Sequence, residues 1–468
     1  MARRYLDAVP AQAIALRAKP RRRSELGLLL VGLVVVVLAF VLESFATLNK
    51  WPPNLLTFVV VSLGLVLFLN VVNRRLAPNA DPVIVPVVLL LNGLGWVMLS
   101  RLAPYVGASH LAGFQALWTL LGAVAYVITL ALFRRSRDLE RYRYLTLFLS
   151  IGLLVLPLLP HIGETPSNAN GARLWVKLGP VTFQPVEISK ILLVVFFASY
   201  FVEKQELLSM STNRIGNRLF PDLRSLGPVA FAWLCSVAVI LLERDIGFSL
   251  LLFVMFLAML WVTTGRWTYL VIGIIAFAVG TYLASQILHQ LNQRIEIWID
   301  PWKYLAPGTA QLGYQPVLGE LSLAKGGLSG TGLGLGAPQN IPVAISDFIF
   351  AAFGEELGLI GATAVVAGFV LIVGSGLRVA LRARSEFSKL CALGLTVILG
   401  FQAFFIMGGV ARLLPLTGVT LPFVSYGGSS LIANYILVAV LMRISDEGSD
   451  EVRSYGEPVP IAAALARS

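Results

Sequence analysis

Acidic side chains beside a long apolar run are the groups in this sequence best suited to acid–base chemistry. Asp347 follows Ser346 just before the run 348–377, and Glu355 and Glu356 lie eight and nine residues further on. On a single helix the two glutamates would lie about 12 Å deeper than Asp347. Desolvation at the edge of a membrane span raises the pKa of a carboxyl group, which suits a general base that works near neutral pH.

Each of these carboxylates also has a structural alternative. Ser346 or Asp347 could cap the helix that follows, because a side-chain oxygen and a negative charge are both favoured at a helix N-terminus. Glu355 and Glu356 could instead form ion pairs with a neighbouring helix. We favour ion pairing over chemistry for these two, because an unpaired charge within a membrane is expensive.

A glycine-rich stretch precedes Asp347. Its glycines stand at positions 326, 327, 330, 332, 334 and 336. They allow close approach to a ligand and can form concave arrays of backbone N–H groups that suit anions. The alternative is a flexible linker. A nucleotide-binding P-loop is excluded, because no Gly-Lys-Ser/Thr triplet is present in the stretch.

Cations and a tryptophan in the polar segments could hold a phosphate or a sugar. These residues are Arg173, Trp175, Lys177, Arg294, Lys325 and Arg412. An indole ring beside cations is typical of the membrane headgroup level, and an ordinary aromatic belt is the alternative for Trp175. Glu187 and Lys190 are three residues apart on a predicted helix, so we expect them to form a structural ion pair.

No metal or thiol chemistry is indicated by the pattern of histidines and cysteines. His110, His161 and His289 are scattered, and the two cysteines, Cys235 and Cys391, each lie within an apolar run. Neither arrangement has the spacing of a metal site or of a disulfide framework. A divalent cation such as Mg²⁺ is expected only as a helper that shares the charge of a phosphate.

The composition requires these residues to be positioned by membrane-spanning helices. The 468-residue chain is 57% hydrophobic and 13% charged, whereas about 25% of residues are charged in soluble domains. The mean hydropathy is +0.81, which excludes a soluble fold. The net charge of +11 is explained by cationic loops on the cytoplasmic face, so no nucleic-acid partner is expected.

Apolar runs near the length that crosses a bilayer predict an all-α polytopic protein of about twelve transmembrane helices. The runs are 26–46, 54–73, 82–100, 112–133, 144–160, 186–202, 227–242, 246–263, 268–289, 348–377, 390–409 and 427–442. With an inside N-terminus, 26 Lys and Arg residues fall on the cytoplasmic side and nine on the other. This asymmetry places both termini in the cytoplasm and the polar segments 161–185 and 290–346 outside.

Five separated motifs resemble, in order, those of the SEDS (shape, elongation, division and sporulation) family, which includes RodA and FtsW. They are Gly171-Ala-Arg173-Leu-Trp175, Gln184-Pro185-x-Glu187-x-x-Lys190, Gly313-Tyr314-Gln315, the stretch from Asp347 to Gly358, and Leu421-Pro-Phe-Val-Ser425-Tyr-Gly-Gly-Ser-Ser430. The resemblance divides the chain into a basic N-terminus (1–25), an additional two-helix segment (26–80), a ten-helix SEDS core (81–445) and a C-terminal tail (446–468). The large outer loop lies between helices nine and ten of the twelve.

The resemblance implies a peptidoglycan glycosyltransferase of the cytoplasmic membrane that acts on lipid II, with an undecaprenyl-linked glycan as product. It also implies a class B penicillin-binding protein, a transpeptidase, as partner. The family's catalytic aspartate corresponds to Asp347, and its helix-borne acid–base pair corresponds to Glu187 and Lys190. Gln315 and Ser425 lie in family motifs and join the candidates for substrate binding.

The sequence departs from the family pattern just before the aspartate. Many members have Pro-Glu-x-His-Thr-Asp there, whereas this chain has Pro342-Val-Ala-Ile-Ser346-Asp347. The change leaves the aspartate as the lone titratable group at that position and favours the RodA branch, which acts in cell elongation and shape. A lipid II flippase and a non-catalytic scaffold of the cell-wall machinery remain the alternatives.

Overall fold

The computed structural model is built almost wholly of α-helices. It describes residues 21–159, 163–164, 174–178, 181–209, 213–215, 218–220, 234, 246–287, 289–305 and 312–454. Within these ranges, eight helices are long and apolar enough to cross a membrane. The expected span 227–242 lies outside the described residues apart from residue 234, so the predicted total of twelve stays a prediction.

Fourteen helices are described. They are α1 (Arg21–Leu48), α2 (Leu55–Leu76), α3 (Ile84–Leu102), α4 (Leu111–Leu132), α5 (Arg137–Glu140), α6 (Arg143–Val155), α7 (Val186–Ser209), α8 (Ile246–Thr264), α9 (Trp267–Ile287), α10 (His289–Ile299), α11 (Tyr314–Gly326), α12 (Ile349–Leu381), α13 (Glu386–Val410) and α14 (Gly428–Ser454). Short 3₁₀ turns occupy Ala103–Val106, Leu156–Leu158, Trp302–Leu305 and Pro338–Asn340. The last helix runs past residue 446, where the tail was expected to begin, so part of that tail is helical.

Two polar segments contain more regular structure than the sequence indicated. In the first, β1 (Gly163–Glu164), β2 (Trp175–Leu178) and β3 (Val181–Phe183) form a small antiparallel sheet, in which Val176 pairs with Phe183. A second pair, β4 (Asn213–Ile215) and β5 (Arg218–Phe220), follows α7. Within the described residues, the segment 290–346 contains most of α10 and all of α11, so it is not a continuous loop.

Glycines allow the core helices to pack closely. A side chain at Gly122 of α4 would begin 2.5 Å from the ring of Tyr435, and one at Gly428 would begin 2.6 Å from Trp118. These contacts bring α4 and α14 together along their length. A side chain at Gly95 of α3 would likewise begin 2.4 Å from the carbonyl oxygen of Val424, so the 421–426 turn rests directly on α3.

The N-terminal hairpin, formed by α1 and α2, contacts the core through polar residues at the start of α1 and the end of α2. Glu25 is fully buried, forms an ion pair with Arg22, and accepts a 2.7 Å hydrogen bond from Asn73 Nδ2. Asn73 Oδ1 in turn accepts a 2.6 Å bond from the hydroxyl of Tyr126 on α4. This polar chain satisfies each group inside the bundle and ties both hairpin helices to the core.

Candidate active site

Asp347 lies in the turn segment that leads into α12 and does not cap that helix. The residue at the N-cap position is Phe348, and no side chain supplies a capping hydrogen bond. Ser346 Oγ instead donates to the carbonyl of Val343 at 3.4 Å. The capping alternative for Ser346 and Asp347 is therefore wrong. The Asp347 carboxylate is partly buried, and Oδ2 lies 4.0 Å from the point where a side chain at Gly418 would begin.

The surroundings of Asp347 raise the pKa of its carboxyl group from 3.8 to about 6. Loss of hydration is the largest cause, and it is opposed by the polar Ser346 side chain and by the charge of Arg294. A carboxylate with this pKa is ionised at neutral pH and is a better proton acceptor than one exposed to water.

A buried serine holds the Asp347 turn in place. Ser425 Oγ donates to the carbonyl oxygen of Ser346 at 2.6 Å and accepts from the backbone N–H of Leu421 at 3.0 Å. The backbone N–H of Tyr426 donates to the carbonyl of Ile345 at 3.0 Å. Because its hydroxyl is used twice within the protein and the side chain is buried, the structure gives Ser425 a positioning role in place of the predicted contact with substrate.

The two glutamates of α12 are paired, as the ion-pair interpretation predicted. Glu355 Oε1 lies 2.6 Å from Lys325 Nζ, and Glu356 Oε1 lies 3.5 Å from Nε of Arg101. Both glutamate side chains and Arg101 are buried. Each buried charge therefore has a partner. Asp347 differs from the two glutamates, because no lysine or arginine among the described residues lies within ion-pair distance of it.

The glycine-rich loop, residues 327–337, forms the predicted cradle of N–H groups, but the anions it holds belong to the chain itself. Gly334 N–H donates to Glu356 Oε2 at 2.9 Å, and Ala337 N–H donates to Glu355 Oε1 at 2.8 Å. The φ angle of Gly334 is +81°, in the left-handed region that favours glycine. The flexible-linker alternative is wrong for this loop, because its backbone is held by hydrogen bonds.

Helix α12 is interrupted by the same loop. Gly358 has φ 66° and ψ −164°, which are not helical values. The backbone N–H groups of Leu359 and Ile360 donate to the carbonyls of Gly327 at 2.9 Å and Leu328 at 3.2 Å. The expected continuous helix is therefore two segments. The short first segment contains Glu355 and Glu356 and is surrounded by protein. The backbone N–H groups that lose their helical partners at the break bond to the loop instead.

The candidate cations fall into different environments. Arg294 of α10 acts on Asp347 through its charge, and its Nη1 is buried without a hydrogen-bond partner among the described residues. Arg412 donates to the carbonyls of Trp298 and Ile299 at 3.0 and 2.7 Å and pairs with Glu320 at 3.1 Å. These contacts join α10 and α11, and about a third of the Arg412 side chain stays exposed, so its contact with a phosphate stays a prediction.

The remaining candidates lie nearer the surface. Trp175 is partly buried and Lys177 exposed on β2, and Gln315 is exposed in the first turn of α11. Lys325 pairs with Glu355 while half of its side chain stays exposed. Arg173 lies outside the described residues.

The predicted pair of Glu187 and Lys190 is part of a longer buried chain of contacts. Lys190 Nζ lies 2.5 Å from Glu187 Oε2 and 2.7 Å from Gln402 Oε1, and Gln402 Nε2 donates to the carbonyl of Thr420 at 2.9 Å. Thr420 is two residues from Gly418, which borders Asp347. Gln402 was not among the residues predicted from the sequence, although an amide in the middle of an apolar run is a usable signal of an internal polar contact.

Comparison with known proteins gives a consistent family. Residues 82–450 match the family described as FtsW/RodA/SpoVE cell cycle protein. The chain is 41% identical over 430 residues to the peptidoglycan glycosyltransferase RodA of Mycobacterium bovis, covering 91% of this chain and 90% of the relative. It is 30% identical over 383 residues to the probable peptidoglycan glycosyltransferase FtsW of a Geobacter species, covering 79% of this chain and 98% of that protein.

Solved structures agree with the sequence relatives. A structure described as "Structural coordination of polymerization and crosslinking by a peptidoglycan synthase complex" is similar with a TM-score of 0.65 and 26% identity, covering 79% of this chain and 98% of that chain. The crystal structure of the Thermus thermophilus rod shape determining protein RodA gives a TM-score of 0.55 and 25% identity, covering 78% and 96%. With its apolar helices, this chain is a multi-pass membrane protein, and it belongs to the FtsW/RodA/SpoVE family of cell cycle proteins.

Proposed function

We propose that this protein is a peptidoglycan glycosyltransferase that polymerises lipid II at the outer face of the cytoplasmic membrane, in cell elongation and shape. The names of its RodA and FtsW relatives support this function. The observation that carries the chemistry is the placement of Asp347, partly buried beside Arg294, with a pKa raised to about 6. We infer from the distribution of Lys and Arg residues that both termini lie in the cytoplasm.

Asp347 acts as the general base in a single inverting displacement. Its carboxylate takes the proton from the 4-hydroxyl of the acceptor's N-acetylglucosamine, and that oxygen attacks the anomeric carbon of the donor glycan. The bond from this carbon to the lipid diphosphate breaks, and the diphosphate leaves with the electron pair. An α-linked donor becomes a β-1,4 linkage in one step. General-base assistance of this kind contributes about 10²–10⁴-fold to the rate.

Arg294 is the cation that we assign to the leaving diphosphate. Its Nη1 has no protein partner within the described ranges, so a phosphate oxygen can satisfy a buried donor that is otherwise left unpaired. Lys325 can reach a phosphate with the exposed part of its side chain, and Lys177 is exposed on β2. Arg173, Trp175 and Gln315 stay predictions from the sequence.

A divalent cation such as Mg²⁺ stays a prediction. Among the described residues no three acidic, histidine or cysteine side chains are grouped as they would be in a protein-only metal site. Mg²⁺ in phosphate chemistry is held by one or two carboxylates together with substrate phosphates. Because Asp347 is used as the base, such an ion would be held mainly by the substrate diphosphate, whose charge it would share with Arg294.

We propose a class B penicillin-binding protein as the partner. The similar solved structure is described as a complex that coordinates polymerisation with crosslinking, and a transpeptidase would supply the crosslinking step. A polymerase without a transpeptidase would leave glycan strands unjoined.

The test compares Asp347→Asn with wild type in detergent solution, using purified lipid II and gel analysis of glycan strands. The variant should insert and purify normally, and its rate should fall at least about 10²-fold. The wild-type rate should rise as the pH passes about 6 and then level, because the base must be ionised. Asp300→Asn is the control, since Asp300 is an exposed aspartate at the end of α10.

The same assay separates the alternatives. A flippase or a scaffold would form no polymer, because translocation has no meaning in detergent and a scaffold has no active site. If wild type forms polymer and Asp347→Asn is fully active, the protein is a glycosyltransferase but Asp347 is not its general base. Absence of polymer from the wild-type protein with its transpeptidase present would refute the proposed function.

A further inference from the structure

A polar cavity of about 270 Å³ lies where the start of α3 meets the ends of α12 and α14. The polar side chains of its lining are Arg378, Arg382, Asp81, Ser445 and Ser449. None of them takes part in the proposed glycosyl transfer. The cavity is smaller than the roughly 300–1,000 Å³ of pockets for drug-sized ligands, so it suits one small polar group.

The cavity lies at one edge of the membrane. The part of α12 that follows the break at Gly358, residues 359–381, is about 34 Å long, which is close to the hydrocarbon thickness of a bilayer. Arg378 is in the last turn of this helix and Arg382 directly follows it. The distribution of Lys and Arg residues indicates that this is the cytoplasmic end.

Contacts among the three elements hold the walls of the cavity in place. The backbone N–H of Asp81, just before α3, donates to Ser445 Oγ of α14 at 2.9 Å. A side chain at Gly448 of α14 would begin 2.4 Å from the carbonyl oxygen of Arg382, so the end of α12 rests directly on α14. The two arginines therefore project from a backbone that is fixed on both sides.

The two arginines are one helical turn apart and have unused hydrogen-bond donors. Arg378 Nη2 donates to Ser375 Oγ at 2.8 Å and its Nε donates to the carbonyl of Gly374 at 3.4 Å, which orients the guanidinium. No acceptor is found for the Arg382 guanidinium within the described part of the chain. Guanidinium groups match the oxygens of a phosphate in geometry and charge.

The charge of the lining favours an anion with a single charge. Arg378 and Arg382 bring two positive charges and Asp81 one negative charge, so the lining has a net charge of +1. One phosphodiester neutralises this charge, whereas a phosphate monoester or a nucleotide would bring excess negative charge beside Asp81. Asp81 Oδ1 accepts from the Val83 N–H at 2.8 Å, and its Oδ2 has no donor among the described residues. A hydroxyl group of the ligand can donate there.

The surface beside the cavity is apolar. Leu377 and Leu381, one turn apart on α12, are 39% and 80% exposed. Acyl chains attached to the phosphodiester can cover these leucines, which a soluble phosphate compound cannot do. A membrane lipid therefore gains contacts with both the arginines and the leucines.

We propose that this cavity binds the headgroup of an anionic phospholipid whose phosphodiester carries hydroxyl groups, which is the chemistry of phosphatidylglycerol. The phosphate lies between Arg378 and Arg382, and a headgroup hydroxyl donates to Asp81. The bound lipid joins α3, α12 and α14. Helices α12 and α14 begin at Ile349 and Gly428, close to the Asp347 turn and the 421–426 turn, so the lipid stabilises the far ends of helices that support the candidate active site.

The first experiment measures binding by native mass spectrometry of the full-length protein in detergent, titrated with phosphatidylglycerol. Wild type should retain one tightly bound lipid, and Arg382→Gln should raise its Kd about tenfold, because a charge-assisted contact is lost. Arg384→Gln is the matched control, since Arg384 is exposed on the same loop but is not part of the cavity lining. Its Kd should stay within about twofold of wild type. Phosphatidylethanolamine, which has no net charge, should bind wild type about tenfold more weakly than phosphatidylglycerol.

The second experiment distinguishes a lipid from a soluble phosphate compound. Phosphatidylglycerol should raise the melting temperature of wild type in detergent, because a ligand of the folded state stabilises it. Glycerophosphoglycerol, the same headgroup without acyl chains, and inorganic phosphate should leave the melting temperature unchanged at the same concentration. Arg382→Gln should lose most of the rise caused by phosphatidylglycerol, and Arg384→Gln should keep it.

Each outcome either supports or overturns the inference. Equal Kd values for Arg382→Gln and Arg384→Gln, or equal binding of the two phospholipids by wild type, would refute the site. An equal rise in melting temperature with glycerophosphoglycerol would assign the cavity to a soluble phosphate compound and refute the lipid. If Arg382→Gln does not fold, Arg382→Lys keeps the charge but loses the planar fork and should still bind phosphatidylglycerol more weakly than Arg384→Lys. Neither experiment depends on polymerisation, so the proposed function can fail while this inference holds.

Discussion

Replacing Asp347 with asparagine should stabilise the protein while it removes activity. The folded state raises the pKa of this carboxyl group from 3.8 to about 6. Folding therefore favours the protonated form, and ionisation of Asp347 lowers the free energy of unfolding. Full stability is present below about pH 4, declines as the pH rises to about 6, and stays constant above that value. Asparagine has nearly the same shape and never ionises.

The magnitude follows from the size of the shift. A difference of about two pKa units at about 1.4 kcal/mol per unit corresponds to about 3 kcal/mol at pH 7.5. The side chain of Asp347 keeps some contact with solvent, so this is an upper value. In a large chain it raises the melting temperature by a few degrees.

Intrinsic fluorescence during heating, in one detergent at pH 4 and pH 7.5, measures the effect. Asp347→Asn should melt higher than wild type at pH 7.5, and the difference should nearly vanish at pH 4, where the folded-state carboxyl group is protonated. Asp300→Asn, at an exposed site, should follow wild type at both values. A difference of equal size at pH 4, or a less stable variant at pH 7.5, would show that desolvation of Asp347 is not the cause of the pKa shift.

Three further substitutions test the supports of the site. Ser425→Ala removes the hydroxyl that holds the Asp347 turn and should lower kcat about tenfold or more in the polymerisation assay with little change in KM. Glu356→Gln removes the carboxylate 3.5 Å from Nε of buried Arg101 and should lower the free energy of unfolding, by less than the roughly 3–5 kcal/mol of a fully unpaired buried charge because Glu43 still acts on Arg101; an unchanged value would contradict this pairing. Gly334→Ala should lower the melting temperature more than Gly327→Ala, because both positions have positive φ but only Gly334 has neighbours, at 3.0–3.1 Å; equal losses would show that packing there is unimportant.

The long apolar helices could be predicted from the sequence because their signal is local. Runs of about 20 apolar residues are sufficient to indicate a span, and α1 to α4 appear close to the expected positions. The break at Gly358 could not be predicted in this way. Its backbone is held by the carbonyls of Gly327 and Leu328, and no pattern within the run 348–377 shows those partners.

The chemistry of the site was only partly predictable for a related reason. Asp347 could be found because it lies in a motif that resembles the SEDS family and directly precedes an apolar run. The hydrogen bonds that Ser425 and Arg412 form depend on which carbonyls lie near them in the folded chain. Residue type shows that a guanidinium can bind a phosphate, but only the tertiary structure shows that Trp298, Ile299 and Glu320 already bond to it.

The glycine-rich loop has a consequence for the order of events during biogenesis. Gly334 rests against Ala46 and Thr47 of the first helix, and its carbonyl accepts a bond from Arg101, which is 233 residues away in sequence. Contacts of such wide separation form late, because a long stretch of chain must be closed before they stabilise anything. The loop can therefore take its final shape only after the chain has left the ribosome as far as Ile360, whose N–H bonds to the loop. A nascent protein truncated before α12 should present its N-terminal helices to the membrane without the loop that later rests on them.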